Sequence, residues 1–131
     1  NAGAKYTLLG ITQDFVFHLC ITKMITATIT ITTDNYQVVE IVSSEQTYGT
    51  EAIQEALEAV SNLAINHTKG VVISHRGSIW LHSAVAHHFH VAAWVAHFDP
   101  RVGDGGGGAV IVQTHKRGFA IGDVISIPKS V

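Results

Sequence analysis

A chain of 131 residues and 14.0 kDa has the size of one ordinary domain and is too short for two well-stocked cores. It is 47% hydrophobic but only 14% charged, where about 25% charged is usual; this excludes a disordered tail and leaves surface for another subunit. The formal net charge of −2 argues against indiscriminate binding to nucleic-acid backbones, and no run of about 18 apolar residues is present to span a bilayer.

Tyr6 to Ile11 and Phe15 to Ile21 are short apolar runs split by polar residues around Asp14, which predicts a hairpin. Cys20, the single cysteine, lies in the second run and is read as an inert core thiol; alone it makes no internal disulfide. No basic region precedes an apolar one at the start, so no secretory leader is expected and the expected localisation is cytoplasmic. Ile25 to Thr32 alternates strictly, with Ile25, Ala27, Ile29 and Ile31 on one face and threonines on the other. That pattern predicts a strand with one buried face. Thr33-Asp34-Asn35 supplies a turn and Gln37 to Val42 the next strand.

Thr50 is a candidate helix N-cap, and Ile53, Leu57, Val60 and Ala64 recur at helical spacing after it. Val71 to Ile73 is a short apolar strand, and Ser74-His75-Arg76-Gly77 is a turn opening onto a second helix from about Ser78 to Phe89. Ala93 to Phe98, Ala109 to His115 and Val124 to Ile127 complete the strands. The glycine-rich stretch Gly103 to Gly108 is a hairpin extension: it lacks the Gly-Lys-Ser/Thr ending of a phosphate loop and opens onto a strand. The order predicts an α+β fold, a ferredoxin-like sheet with two helices and extra amino-terminal strands, in a single domain over 1–131.

The charges are unevenly spread. Residues 1–68 carry two basic and seven acidic side chains, whereas residues 69–131 carry six basic and three acidic ones. Seven of the nine histidines also lie in the second part. A site for an anionic ligand is therefore expected after residue 68.

The second helix holds His82, His87, His88 and His90. Trp80, Ala84 and His87 share a stripe that is read as partly core, His82 and His87 fit either buried, hydrogen-bonded positions or a site, and His88 is expected to face solvent. His90 lies where the helix ends and the chain turns into the next strand. At the far end of that strand comes Asp99-Pro100-Arg101, in which Pro100 holds Asp99 extended. An imidazole, a carboxylate and a guanidinium gathered at one sheet edge suit phosphodiester cleavage: a proton carrier, a cation ligand and a phosphate clamp. The same spacing also fits a turn with a local Asp–Arg ion pair.

The runs GVVISHRGSIWLH (Gly70–His82), AHHFH (Ala86–His90), HFDPRVG (His97–Gly103), GAVIVQTH (Gly108–His115) and GDVISI (Gly122–Ile127) resemble the Csx-three family of CRISPR-associated ring nucleases of type III systems. The motifs cover roughly residues 69–127, while residues 1–68 are similar only in their coarse pattern of strands and a helix. The resemblance implies a ferredoxin-like fold and a manganese-dependent phosphodiesterase that opens cyclic tetra-adenylate. It also implies homo-oligomers whose dimers stack head to tail around the ring, in the limit a filament. Residue by residue, it implies His90, Asp99 and Arg101 as catalytic, Asp99 and His90 as holders of Mn²⁺, and Arg76, Gly77 and His115 as ligand contacts. Exonuclease action on short RNA tails, and a non-catalytic self-assembling or binding protein on the same fold, are the alternatives. The chain departs from the family's pattern at Ser78, where proline is frequent, at Val91, and in the Asp104–Gly107 insertion.

Overall fold

The structure, a computed structural model, describes residues 24–103 and 106–128. The expected hairpin of Tyr6–Ile11 and Phe15–Ile21, with Cys20, lies outside these residues. Six strands and two helices follow in the order β1 (Ile25–Thr32), β2 (Tyr36–Ser43), α1 (Ala52–Ser61), β3 (Gly70–Ser74), α2 (Ile79–His88), β4 (Trp94–Asp99), β5 (Gly108–Thr114) and β6 (Val124–Ser126). The strands form one mixed sheet in sequence order. β2, β3 and β4 run parallel, and β1, β5 and β6 add antiparallel edges. The architecture is the α+β class expected, two helices laid on a sheet with added amino-terminal strands.

The parallel core follows from the helices. Each helix carries the chain back along the sheet, so the next strand starts at the same end as the last. Both helices cover one face, where Ala52, Ala56 and Val60 of α1 and Leu81, Val85 and Phe89 of α2 pack on Val39, Val71, Ile73 and Val95. On the opposite face Trp94, Tyr36, Val72 and Ile111 are buried under Phe119, Ile125 and Ile127. No helix among the described residues is long and apolar enough to cross a membrane.

Four expectations are corrected by the packing. The alternation of β1 holds through Ile29, but a bulge before Ile31 shifts the register. Ile31 therefore joins the opposite face of the sheet, away from Ile25, Ala27 and Ile29. Helix α1 begins one residue later than Thr50 suggests. Glu51 occupies the N-cap without a side-chain bond, and the Glu55 carboxylate instead accepts the backbone N–H groups of Met24 and Ile25, tying the helix to the start of β1. The buried stripe of α1 is Ala52, Ala56 and Val60, with Ile53 and Leu57 flanking it and Ala64 exposed beyond the helix. Small side chains let the helix lie close to its neighbours, and the larger apolar ones close the sides. In α2 the buried stripe is Leu81, Val85 and Phe89; Trp80 is 40% exposed and His87 is at the surface.

β4 and β5 pair antiparallel on either side of the glycine-rich stretch, as a hairpin requires; Asp104 and Gly105 lie outside the described residues. Gly107 has φ 132°, open to glycine and hostile to other residues, and a Cβ there would stand 2.7 Å from the Phe98 ring.

Candidate functional site

The two helices and the parallel strands give the molecule two distinct ends. At the carboxyl ends of β2, β3 and β4 lies a crevice of about 580 Å³ whose lining includes Glu40, Glu45, Ser74, His75, Arg76 and Pro100. Crevices at the carboxyl ends of parallel strands are the usual ligand sites of open sheets. Asp99 closes β4 at this end. Its carboxylate accepts three bonds from Arg101: the backbone N–H at 2.9 Å, Nε–H at 3.0 Å and Nη2–H at 2.9 Å. These bonds, the side-chain pair foremost and the backbone N–H next, hold the Asp99 carboxyl down to about 2. The Arg101 side chain remains 86% exposed, so Asp99 sets its direction while its outer face is open to an anion. The local ion-pair reading of Asp99-Pro100-Arg101 is thus correct as geometry, and it is compatible with phosphate binding.

Arg76 lies at the same end, exposed in the turn between β3 and α2. Gly77 beside it is needed for space. A Cβ at this position would stand 2.1 Å from the Tyr48 hydroxyl and 2.3 Å from His75 Nε2. His75 donates from Nδ1 to the Ile41 carbonyl at 2.9 Å, which leaves Nε2 to accept the Tyr48 O–H at 2.9 Å. The Tyr48 oxygen in turn accepts the Ser78 N–H at 3.2 Å. Tyr48 therefore fixes the turn that carries Arg76, a role that no motif in the sequence signals.

His90 and His115 sit at the other end. His115 donates from Nε2 to the His90 carbonyl at 2.9 Å, and its own N–H meets the Ala93 carbonyl at 2.8 Å. Trp94, the first residue of β4, pairs with Thr114, whereas Asp99, the last, pairs with Gly108. The six residues of β4 separate the two ends by about 16 Å at the usual strand rise. The expected gathering of His90, Asp99 and Arg101 at one sheet edge is corrected accordingly: within one chain, His90 and His115 are at one end and Asp99, Arg101, Arg76 and Gly77 at the other. The physical reason is the direction of α2, which runs antiparallel to β4 and delivers its last residue to the strand's beginning.

His90 is exposed and stacks on His87 with ring centroids 5.3 Å apart. Nδ1 donates to the His87 carbonyl at 3.0 Å, which leaves the Nε2 lone pair to take a proton. His88 is partly buried, not solvent-facing as expected; burial, and then neighbouring His67, lower its pKa.

Three further imidazoles meet between α2 and the sheet. His82 on α2 faces His97 on β4 with Nδ1 atoms 3.2 Å apart, and the His75 ring lies 5.4 Å from that of His82. Burial, and then the neighbouring His82, push His97 down to about 4; burial and His75 lower His82. His97 therefore stays neutral in the folded chain, while the unfolded chain takes up its proton below about 6.5. Stability is complete above that value and is lost as pH falls toward 4. Urea unfolding at pH 7.5 and pH 5 should differ by about 1–2 kcal/mol from His97, and His97→Leu should remove that share of the slope. An unchanged slope would show that His97 titrates normally.

The donors for Mn²⁺ do not assemble in one chain. Both Asp99 oxygens are held by Arg101, His90 is a strand's length away, and no three His, Cys, Asp or Glu side chains converge on a cation position among the described residues.

A small α+β domain with a crevice lined by Arg76, Glu40 and Glu45 at one end and a paired-histidine surface at the other is thereby defined. The family model described as CRISPR-associated protein (Cas_csx3) matches residues 47–126, and the chain belongs to that family. The match reaches back beyond the motifs of the second half to include α1. An uncharacterized protein of Aquifex aeolicus (strain VF5) is 42% identical over 55 residues, 42% of this chain and 46% of that protein. The matched stretch thus spans just under half of this relative.

Proposed function

We propose that this chain is a ring nuclease, a phosphodiesterase that opens cyclic tetra-adenylate between two copies stacked head to tail. The observation that carries the reading is the division of reactive groups between the two ends of β4. Arg76 and Arg101 stand at one end, where both nitrogens of the nearby His75 are engaged by Tyr48 and Ile41, and His90 offers an exposed imidazole with an Nε2 lone pair at the other. Head-to-tail stacking makes each end complete the other.

In this arrangement Arg101, aimed by Asp99, and Arg76 bind the non-bridging phosphate oxygens. His90 Nε2 of the adjoining copy takes the proton from the attacking hydroxyl as its oxygen bonds to phosphorus. The bridging P–O bond breaks, and the departing ribose oxygen takes a proton from the imidazolium. His115 holds the His90 backbone through its carbonyl and acts as a positioning residue. Mn²⁺, which the family resemblance implies, does not fit the donors of a single chain, and no step is routed through it. A cyclic nucleotide substrate would place the work of this protein in the cytoplasm.

The test is incubation with cyclic tetra-adenylate, with and without Mn²⁺, followed by separation of ring and linear products. Conversion to linear oligoadenylate is expected. An intact ring under both conditions would contradict the reading. Shortening of an adenylate-tailed RNA with the ring untouched would assign the exonuclease alternative. Filaments without cleavage would assign the self-assembling alternative, which draws support from the exposed Ile79, Trp80, Val91 and Ile121.

A further inference from the structure

The groups proposed for ring opening leave one reactive cluster unused, the imidazoles between α2 and the sheet. His82 and His97 come from different elements, and their rings meet at 64° with Nδ1 atoms 3.2 Å apart. Two nitrogens bound to one first-row cation at about 2.0–2.1 Å stand about 2.8–3.0 Å apart at an octahedral angle and about 3.3–3.4 Å apart at a tetrahedral one. In the metal-free chain the same separation lets one ring donate its Nδ1–H to the other. Both side chains are partly buried, and each is carried on a regular element with its backbone fixed by the core around Leu81 and Val95. The pair is thus preset rather than assembled from mobile loops.

We propose that His82 and His97 form a binding site for a borderline divalent cation of the Zn²⁺, Co²⁺ or Ni²⁺ class, held through the two Nδ1 atoms. Imidazole-only donors favour these ions over Mg²⁺ or Mn²⁺, which prefer oxygen. His75 is close, but its Nε2 lone pair is occupied by the Tyr48 O–H and its Nδ1–H by the Ile41 carbonyl. The protein therefore supplies two ligands, in agreement with the lack of a three-donor group among the described residues, and solvent completes the shell. A cation held in this way keeps open positions for water or an anionic ligand. It would also join α2 to β4 beneath the end that carries Asp99 and Arg101. The site is independent of the ring-nuclease reading, since none of its residues takes part in that chemistry.

Titration with Co²⁺, followed by its visible absorption, tests the assignment. One saturable Co²⁺ per chain is expected, displaced by Zn²⁺. Affinity should fall at least tenfold in His82→Gln and in His97→Gln but stay unchanged in His87→Ala at the other end of α2. Far-UV circular dichroism of the metal-free variants separates loss of a ligand from loss of the fold. A second measurement needs no variant: substoichiometric Co²⁺ should broaden the ring resonances of His82 and His97 before those of the exposed His87, His90 and His115. Binding at full strength in both folded Gln variants, first broadening at the exposed histidines, or no saturable binding would each overturn the proposal.

Discussion

With ring opening as proposed, His90→Ala and Arg101→Ala are each expected to lower its rate by about 10²–10⁴-fold, for different reasons. Removing His90 takes away the exposed Nε2 lone pair and leaves Arg76 and Arg101 at the other end intact, so kcat should fall with little change in KM. Removing Arg101 takes away a guanidinium that is 86% exposed yet aimed by two side-chain bonds to Asp99. It therefore raises KM as well as lowering kcat. Arg101→Lys will restore only part of the loss, because an ammonium cannot reproduce the forked contact that fixes its direction. Asp99→Asn should behave as a weaker Arg101 variant, since Asp99 holds the arginine. Steady-state kinetics on cyclic tetra-adenylate checks all four. Equal effects of His90→Ala on kcat and KM would contradict its assignment as proton carrier.

Gly70→Ala will destabilise the fold by about 3 kcal/mol, near the upper end of what overpacking a core costs. Gly70 opens β3, and Trp94 opens the neighbouring β4. A Cβ on Gly70 would stand 2.1–2.4 Å from three atoms of the Trp94 indole, well inside van der Waals contact. The indole cannot simply swing away. It is 1% exposed, stacked on Phe119 with centroids 5.4 Å apart, and tilted against Tyr36 at 6.2 Å. The added methyl must therefore push apart two adjacent strands or displace three aromatic rings together. Urea unfolding with near-ultraviolet circular dichroism of Trp94 checks this. Unchanged stability would mean that the indole has room to move.

Strands were legible where one face is buried, as in the period-two pattern of β1, and where both are, as in the apolar runs of β3 and β4. The departures came from tertiary packing. A bulge sends Ile31 to the other face, and α1 buries alanines where its larger residues form the more conspicuous stripe. Parallel pairing of β2, β3 and β4 depends on contacts between residues tens of positions apart, which local periodicity does not carry.

The site was partly legible. The residue types and the motifs around Arg76, His90, Asp99 and Arg101 were visible, but their division between two ends was not. Nine positions separate His90 from Asp99, and those positions include a whole strand, so closeness in sequence became distance in space. The reverse happened to His75, His82 and His97, spread over a turn, a helix and a strand and brought together only by folding. The high histidine count was their one sequence signal. Tyr48 gave none, because a tyrosine in a loop acquires its role only when His75 and Ser78 are placed against it.

In the proposed assembly one active site draws His90 from one copy and Arg101 from the next. Mixing inactive His90→Ala with inactive Arg101→Ala tests it most directly. Where the two variants stack in the right order, an intact His90 faces an intact Arg101, and ring opening should return to a substantial fraction of wild type. Each variant alone contains only defective junctions and should stay inactive at any concentration. A mixture no more active than its separate components, under conditions where copies exchange, would rule out a site shared between copies.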